Sequence, residues 1–588
     1  MRNKDHEGVR PAKVQTSARG LRPAVANALA ATLLIIMAAL MFGPAWQDSA
    51  TVDETTFLGG GYSYWTGHRY YFVPEHPPLS QMLPSFPLLF MNVKLSDTAS
   101  ALLEKRTGYP WTIPWSGSPR AVQELFPDGQ RDNWYFMPNP EGQLFGQMLV
   151  YGSGNDGNAM MFAGRLVQVG LTLLTGLLIY IWGRQAGRDP LAGLLGLAMW
   201  VFQPSVLAHG HLITTDIGAT LGMAAAVYCF LQFVQKPSSR WAALCGAATG
   251  LSLVMKHTAV ILAPTYIVLA AFSWKNLVGK VSRPVRTLAV FVGAIWLVIL
   301  AVYFPRWSPP PPLGDAQASV LGVPGWFQAF RPLLLPGYYF KSLAIGLGHA
   351  KEGHLSYLFG AWSQHGWWYF YPAVFFLKSP LAFVILAIIA ACVAAQRWKT
   401  VSPLAKYPWI AAVVYIGLAM TSNVNIGVRH MLPFYALVCV GAGAAWPLVS
   451  SRFRWVIIGL LAWQAVVTVI AYPLYLQFIS EAAGGAQNGY RCLYDSNYDW
   501  GQDANRLKRF LDEQGIPHIY LDYFGTQFNI DYLKIKNTRV TAQTAQQLHD
   551  GYLVVSASEL VQPDWAWLRK SRQSWARVAY TLFVYRLD

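Results

Sequence analysis

Eleven long apolar runs, divided by short basic loops or long aromatic ones, dominate this chain and decide what it can fold into. A run of about 17–25 apolar residues can cross lipid only as a helix, because no water is there to satisfy its backbone. The runs fall near 24–46, 159–182, 190–208, 217–235, 241–256, 258–274, 286–304, 370–395, 407–421, 430–449 and 455–478. Hydrophobic residues are 54% of the 588 and charged residues 13%, against about a quarter charged in soluble domains. Disorder, a collagen-like fibre and an ordinary cytosolic enzyme are excluded. Cys229, Cys245, Cys392, Cys439 and Cys492 are scattered, four of them inside apolar runs, which leaves neither a disulfide framework nor a zinc pattern. The expected fold is an α-helical polytopic membrane protein.

The net charge of +16 would suggest nucleic acid in a soluble chain, but the basic residues occupy alternate loops, so no nucleic-acid partner is expected. Arg2, Lys4, Arg10, Lys13, Arg19 and Arg22 precede the first run. Arg184 and Arg188, Lys236 and Arg240, Lys275 to Arg286, Arg397 to Lys406, and Arg452 with Arg454 fill every second loop thereafter. Basic loops stay cytoplasmic, so the N-terminus is expected inside and, after eleven spans, the C-terminus outside. The first run is too long for a signal-peptide core and no A-x-A-like cleavage site follows it; it is read as a retained span. A bacterial inner membrane is the expected location.

This orientation gives a cytoplasmic tail over 1–23 and a membrane domain over 24–478, with outer loops at 47–158 and 305–369. The second loop carries the Pro309–Pro312 run. Both loops are rich in Trp, Tyr and Phe, which suits amphipathic helices lying at the bilayer surface. From about 479 the composition changes to twelve acidic and twelve basic residues in 110 positions, which marks a small outer α/β domain. A helix is expected over Asp503–Gln514, and strands over His518–Phe524, Gly551–Ser556 and Arg577–Leu587.

The most informative segment begins at Asp53-Glu54, just past the first span, and reaches Glu75-His76-Pro77-Pro78-Leu79. Two adjacent carboxylates at an apolar boundary are either solvated loop acids or groups with a task, such as taking a proton from an attacking hydroxyl. Asp156 stands before the second span, as a second acid or as an ordinary helix N-terminal charge. Lys256 and Arg429, at outer helix ends, either snorkel or bind an anion. Asp495, Asn497 and Asp499 alternate like calcium-loop ligands, but Trp500 holds the turn-glycine position and Arg506 the bidentate-glutamate position. Asp499 and Gln502 therefore cap the next helix or face a substrate. Gly59-Gly60-Gly61 lacks the strand-to-helix context of a phosphate loop. His209, His211, His257, His354, His365 and His430 lie near outer ends without metal-ligand spacing, so no cofactor is assigned and a divalent metal stays open.

Asp53-Glu54, followed some twenty residues later by His76-Pro77-Pro78-Leu79, resembles the first outer loop of the GT-C membrane glycosyltransferases, specifically glycosyltransferase family 39. That family includes protein O-mannosyltransferases and the bacterial aminoarabinose transferase of lipid A. Further similar segments follow in order: Ala163-Gly164-Arg165-Leu166, His209-Gly210-His211 leading to Thr214-Thr215-Asp216, and Leu253-Val254-Met255-Lys256. Then come Gly366-Trp367-Trp368-Tyr369 with Leu377-Lys378, Asn425-Ile426-Gly427-Val428-Arg429-His430, and the Asp495–Gln502 stretch.

The resemblance implies transfer of a sugar from a polyprenyl-phosphate donor to an acceptor at the outer face, with inversion. It implies Asp53 as general base, Glu54 as a supporting carboxylate, and Lys256, Arg429 and His76 around the donor phosphate. His76 stands where the aminoarabinose transferase motif has Lys. The acceptor, whether glycan, lipid or protein, is not decided by any local pattern. The rival readings are a transporter or flippase of a lipid-linked substrate, and a non-catalytic envelope scaffold; no internal repeat of the transporter kind is visible.

Overall fold

A computed structural model of the protein describes residues 21–67, 70, 72–104, 140–304 and 336–587. The basic residues before Arg22 and the Pro309–Pro312 run lie outside the described residues. Each of the eleven apolar runs carries helix. Among the described residues six helices are long and apolar enough to cross a membrane: Pro23–Gln47, Gly157–Gly187, Asp216–Gln235, Pro284–Tyr303, Val428–Leu448 and Ser451–Ile470. The run at 241–256 is the 17-residue helix Ser239–Met255, and His257–Phe272 and Pro403–Ala419 are shorter apolar helices. Seventeen residues rise about 26 Å, at the lower limit of a span.

Two of the expected straight runs are bent pairs. Pro190–Val201 and Pro204–His211 meet at 68°, and Phe370–Leu377 and Leu381–Gln396 at 120°. Each break precedes a proline, which forces its predecessor out of the helical region: Gln203 and Ser379 stand there. At the second break the buried Lys378 ammonium donates to the carbonyls of Leu476, Phe478 and Asn497 at 2.8, 2.7 and 2.6 Å. A single straight span over 370–395 is therefore replaced by an outer helix and a separate inward one. The last run also stops early, its helix ending at Ile470 rather than 478.

Helix ends follow local chemistry. Asp156 accepts from the Ala159 N–H at 3.0 Å and starts Gly157–Gly187; Asp189 accepts from Leu191 and starts Pro190–Val201. Inside the bundle, close approach replaces bulk. A Cβ on Gly443 would lie 2.2 Å from the Ala192 carbonyl oxygen, and one on Gly196 2.6 Å from that of Cys439, so these two helices pack through glycine as membrane helices do.

Outside the membrane bundle, a two-stranded ribbon pairs β1 (Ser356–Leu358) with β2 (Ala361–Ser363). The tail forms a five-stranded sheet of β3 (Ile519–Asp522), β4 (Asn537–Arg539), β5 (Gly551–Ser556), β6 (Ala576–Val578) and β7 (Leu582–Leu587), in the order β4-β3-β5-β7-β6. β3 runs parallel to both neighbours, while β7 is antiparallel to β5 and β6. The strand expected over Arg577–Leu587 is thus a hairpin. One sheet face buries Leu521, Val554 and Val584 against Leu507 and Leu511 of helix Ala504–Gln514. The other buries Leu553, Val555 and Phe583 in the core that continues into the membrane bundle.

Gly443→Ala should overpack the helix pair and cost about 1–3 kcal/mol, seen as a lower melting temperature of the detergent-purified protein. Gly459→Ala, where an added Cβ meets nothing within 4 Å, should leave that temperature unchanged or raise it slightly.

Candidate active site

The first span ends at Gln47 and helix Glu54–Thr66 begins after a short turn. Glu54, its first residue, is fully buried. Arg165, from the middle of the Ala163–Leu166 motif, donates Nε to Oε1 at 2.9 Å and Nη2 to Oε2 at 2.6 Å. The Ile213 N–H adds 2.9 Å to Oε1, and the Thr51 N–H 2.9 Å to Oε2. Arg165 spends its other donors on the carbonyls of Ala45, Asp48 and Ser49. Burial alone would raise the Glu54 carboxyl, but the Arg165 charge and these hydrogen bonds hold it below the usual glutamate range. Glu54, expected as a supporting carboxylate, is therefore an anchor with its acceptor positions filled.

Asp53, one residue earlier, is turned elsewhere. Its Oδ2 accepts from Arg429 Nη1 at 3.1 Å, and both side chains are largely buried. The Arg429 guanidinium stacks on the Trp500 ring, 4.4 Å from its centre, and its buried Nε has no hydrogen-bond partner among the described residues. Burial raises the Asp53 carboxyl above the ordinary aspartate value; Arg429 opposes this and Asp216 adds to it.

Three loops make this arrangement. The Val52 N–H donates to the Trp500 carbonyl at 3.2 Å and the Ser49 N–H to that of Gln502 at 2.8 Å, so the first outer loop and the 499–502 stretch pair through their backbones. Asn497 ties the third: its Oδ1 accepts from the Val428 N–H and its Nδ2 donates to the Ile426 carbonyl, both at 2.8 Å. The separate motifs at 53, 425–430 and 495–502 thus become one surface.

Beside it, Lys256 donates to Asp216 Oδ1 at 2.5 Å, while Asp216 Oδ2 is buried without a partner among the described residues. His76 packs edge-on against Phe57 and lines a small cavity with Tyr64, Tyr70, Tyr303, Tyr338 and Ser342. Burial first, then the Lys256 charge, holds His76 well below the usual histidine range, so it is neutral at physiological pH. Its neighbour Glu75 has a buried, unpartnered Oε2 and is pushed up to about 8 by burial, with Asp53 adding to the rise. His209 is fully buried near Trp500 and neither ring nitrogen is bonded among the described residues.

Three further candidates are held by other partners. Asp156 is exposed and serves as the helix cap already described, outside this cluster. Asp499 and Gln502 do not cap helix Ala504–Gln514, whose first turn follows Asp503. Instead Asp499 accepts from the Ser558 N–H at 2.8 Å, and Gln502 Oε1 accepts from the Trp500 N–H at 2.8 Å; both hold the loop that presents Trp500. Among the described residues no group of three His, Cys, Asp or Glu side chains is arranged to hold a metal ion. Asp216, Glu75 and His209 carried no assignment from the sequence. The signal for Asp216 was its place in Thr214-Thr215-Asp216, yet an acid opening an apolar helix is also an ordinary N-terminal charge.

Residues 156–304, about a quarter of the chain, match the family described as dolichyl-phosphate-mannose-protein mannosyltransferase. Over this segment, which holds three of the helices long and apolar enough to cross a membrane, the chain is similar to that family. A crystal structure of ArnT from Cupriavidus metallidurans bound to undecaprenyl phosphate is 12% identical, covers 96% of this chain and 98% of that chain, and has a TM-score of 0.47. The Saccharomyces cerevisiae protein O-mannosyltransferase Pmt1-Pmt2 complex bound to the sugar donor is 19% identical over 49% of this chain and 33% of that chain, at a TM-score of 0.30. No curated protein matches the sequence.

Arg165→Met should leave the Glu54 charge buried without compensation. A loss of about 3–5 kcal/mol is expected, measured as a large fall in the melting temperature in detergent; an unchanged temperature would remove the pair from the scaffold.

Proposed function

We propose that this protein is an inverting glycosyltransferase that moves a sugar from a polyprenyl-phosphate donor to an acceptor at the outer face of a bacterial inner membrane. In this reading residues 24–478 form the catalytic domain and 479–588 a periplasmic one, with the N-terminus cytoplasmic. The family matched over 156–304, described by its dolichyl-phosphate-mannose donor, supports a lipid-phosphate-linked sugar. The observation that carries the reading is the 3.1 Å contact between Asp53 and Arg429. It sets a proton acceptor beside a phosphate-binding cation at the end of a span, which is where a lipid-anchored donor would present its anomeric carbon.

Chemically, the acceptor hydroxyl gives its proton to Asp53 as its oxygen bonds to the anomeric carbon. The bond from that carbon to the phosphate oxygen breaks, and the departing lipid phosphate takes the electron pair. Arg429, with its free Nε, and Lys256 stabilise the charge that develops. Neutral His76 would hydrogen-bond the sugar or phosphate and supply no charge. Asp499 and Gln502 act on the acceptor side through the Trp500 loop. The raised Asp53 carboxyl brings the base nearer to neutrality, where proton transfer is more effective.

Asp53→Asn should lower transfer from labelled polyprenyl-phosphate sugar by about 10²–10⁴-fold in donor-saturated membranes, with donor binding retained; wild-type-like turnover would overturn the assignment. Arg429→Met and Lys256→Met should instead raise the donor KM, and unchanged kinetics in both would take them out of the site. Since the base must be ionised, kcat/KM should fall as pH drops through the raised Asp53 value. Its acid limb should therefore lie above the ordinary aspartate range, as a pH profile of the wild type would read.

A further inference from the structure

Asp495 opens a motif of which the proposed chemistry uses only the later residues, and its geometry is unusual. Its φ is +58°, a left-handed conformation that few residue types other than Gly, Asn and Asp adopt readily. The Ser496 N–H donates to Asp495 Oδ1 at 2.6 Å, and the Asp495 N–H donates to Ser558 Oγ at 3.3 Å. The Asn497 bridge to Ile426 and Val428 fastens this turn onto the one that carries Arg429. The turn is thereby packed beside the Arg429 turn, close enough for the Arg429 and Asp53 charges to act on the Asp495 carboxyl. The charges of Asp53, Asp216 and Asp495 all act on Arg429, Asp53 by direct contact. On its own turn Asp495 adjoins Tyr494, which Asp499 and Glu559 face from farther along the tail.

We propose that Asp495 is a positioning residue that competes with the donor phosphate for Arg429, so that its charge sets how tightly the lipid phosphate is held. The proposal rests on the donor class assigned above. A phosphate reaching the free face of the guanidinium enters the field of three carboxyl groups, and the one least tied by other partners governs the competition. Asp53 has the direct Arg429 contact and Asp216 has Lys256. Among the described residues Asp495 has no ion pair: the Ser496 N–H donates to its Oδ1, and Arg429 is the cation whose charge acts on it. Burial, opposed by Arg429 and aided by Asp53, pushes this carboxyl up to about 7. The competing charge is therefore absent below neutrality and present above it.

Asp495→Asn separates charge from backbone conformation, because Asn tolerates positive φ and keeps an oxygen for the Ser496 N–H. The probe is undecaprenyl phosphate, titrated onto the full-length detergent-purified protein from pH 5.5 to 8.5. The lipid phosphate's own ionisation is common to both proteins and cancels in their ratio. The ratio of wild-type to variant Kd should be near one at pH 5.5 and rise to about tenfold at pH 8.5. Asp495→Gly, which accepts the same φ without a side chain, should show the same rise. A ratio that does not change with pH, or weaker binding by both variants at pH 5.5, would overturn the role of Asp495 while leaving the donor assignment standing. Failure of the wild type to bind the probe at any pH would remove the donor assignment and this proposal with it.

Discussion

The Glu54–Arg165 pair governs the geometry of the whole outer end. Arg165 reaches from one span to the last carbonyls of another and to a carboxylate that also accepts from Ile213 in the bent segment before Asp216. One buried guanidinium therefore fixes two spans and the approach to a third. Because Glu54 opens a helix and is held inward, the residue before it lies in the turn outside that helix, and this frees Asp53 to meet Arg429. Adjacent carboxylates with the same chemistry thus acquire different tasks through their partners alone.

Charge in this protein is gathered where the bundle meets the outer tail, and most of it is answered. Asp48 accepts from Arg506 at 2.7 Å and contacts His211 at 3.2 Å, Asp216 takes Lys256, and the Arg429 face rests on Trp500. Desolvating an ion is costly unless hydrogen bonds and an opposite charge replace water, so the groups left incompletely served stand out. Glu75 Oε2, Asp216 Oδ2, Arg429 Nε and both nitrogens of His209 are such groups. They lie on segments that converge near Asp53, as expected where a polar ligand completes the bonding.

Much of the fold was legible in the sequence because lipid imposes one rule on every span: that each of the eleven apolar runs carries helix, and that the chain changes to an α/β tail, follow from apolar runs and charge density. The breaks at Gln203 and Ser379 were marked only by a following proline, and the Lys378 contacts that fix the second break come from residues about a hundred positions away. Strand β4 is three residues long with polar side chains, so no alternation betrays it. In the candidate site, motif and position singled out Asp53, Lys256, Arg429 and His76, and the fold brings Asp53 against Arg429. The roles of Glu54, Asp499 and Gln502 were not, since each depends on a partner, Arg165, Ser558 or Trp500, whose proximity is created by tertiary folding. Asp156 was ambiguous between a cap and an acid, and the Ala159 N–H decides for the cap.

The platform under Arg429 is supplied by Trp500, which follows every span in the chain. During synthesis the helices through Ile470 can associate before this indole exists, and the guanidinium then has neither its aromatic floor nor the Asn497 bridge. Maturation of the Asp53–Arg429 surface is consequently postponed to the emergence of the final hundred or so residues, so that a truncated product would hold an assembled bundle with that face unfinished.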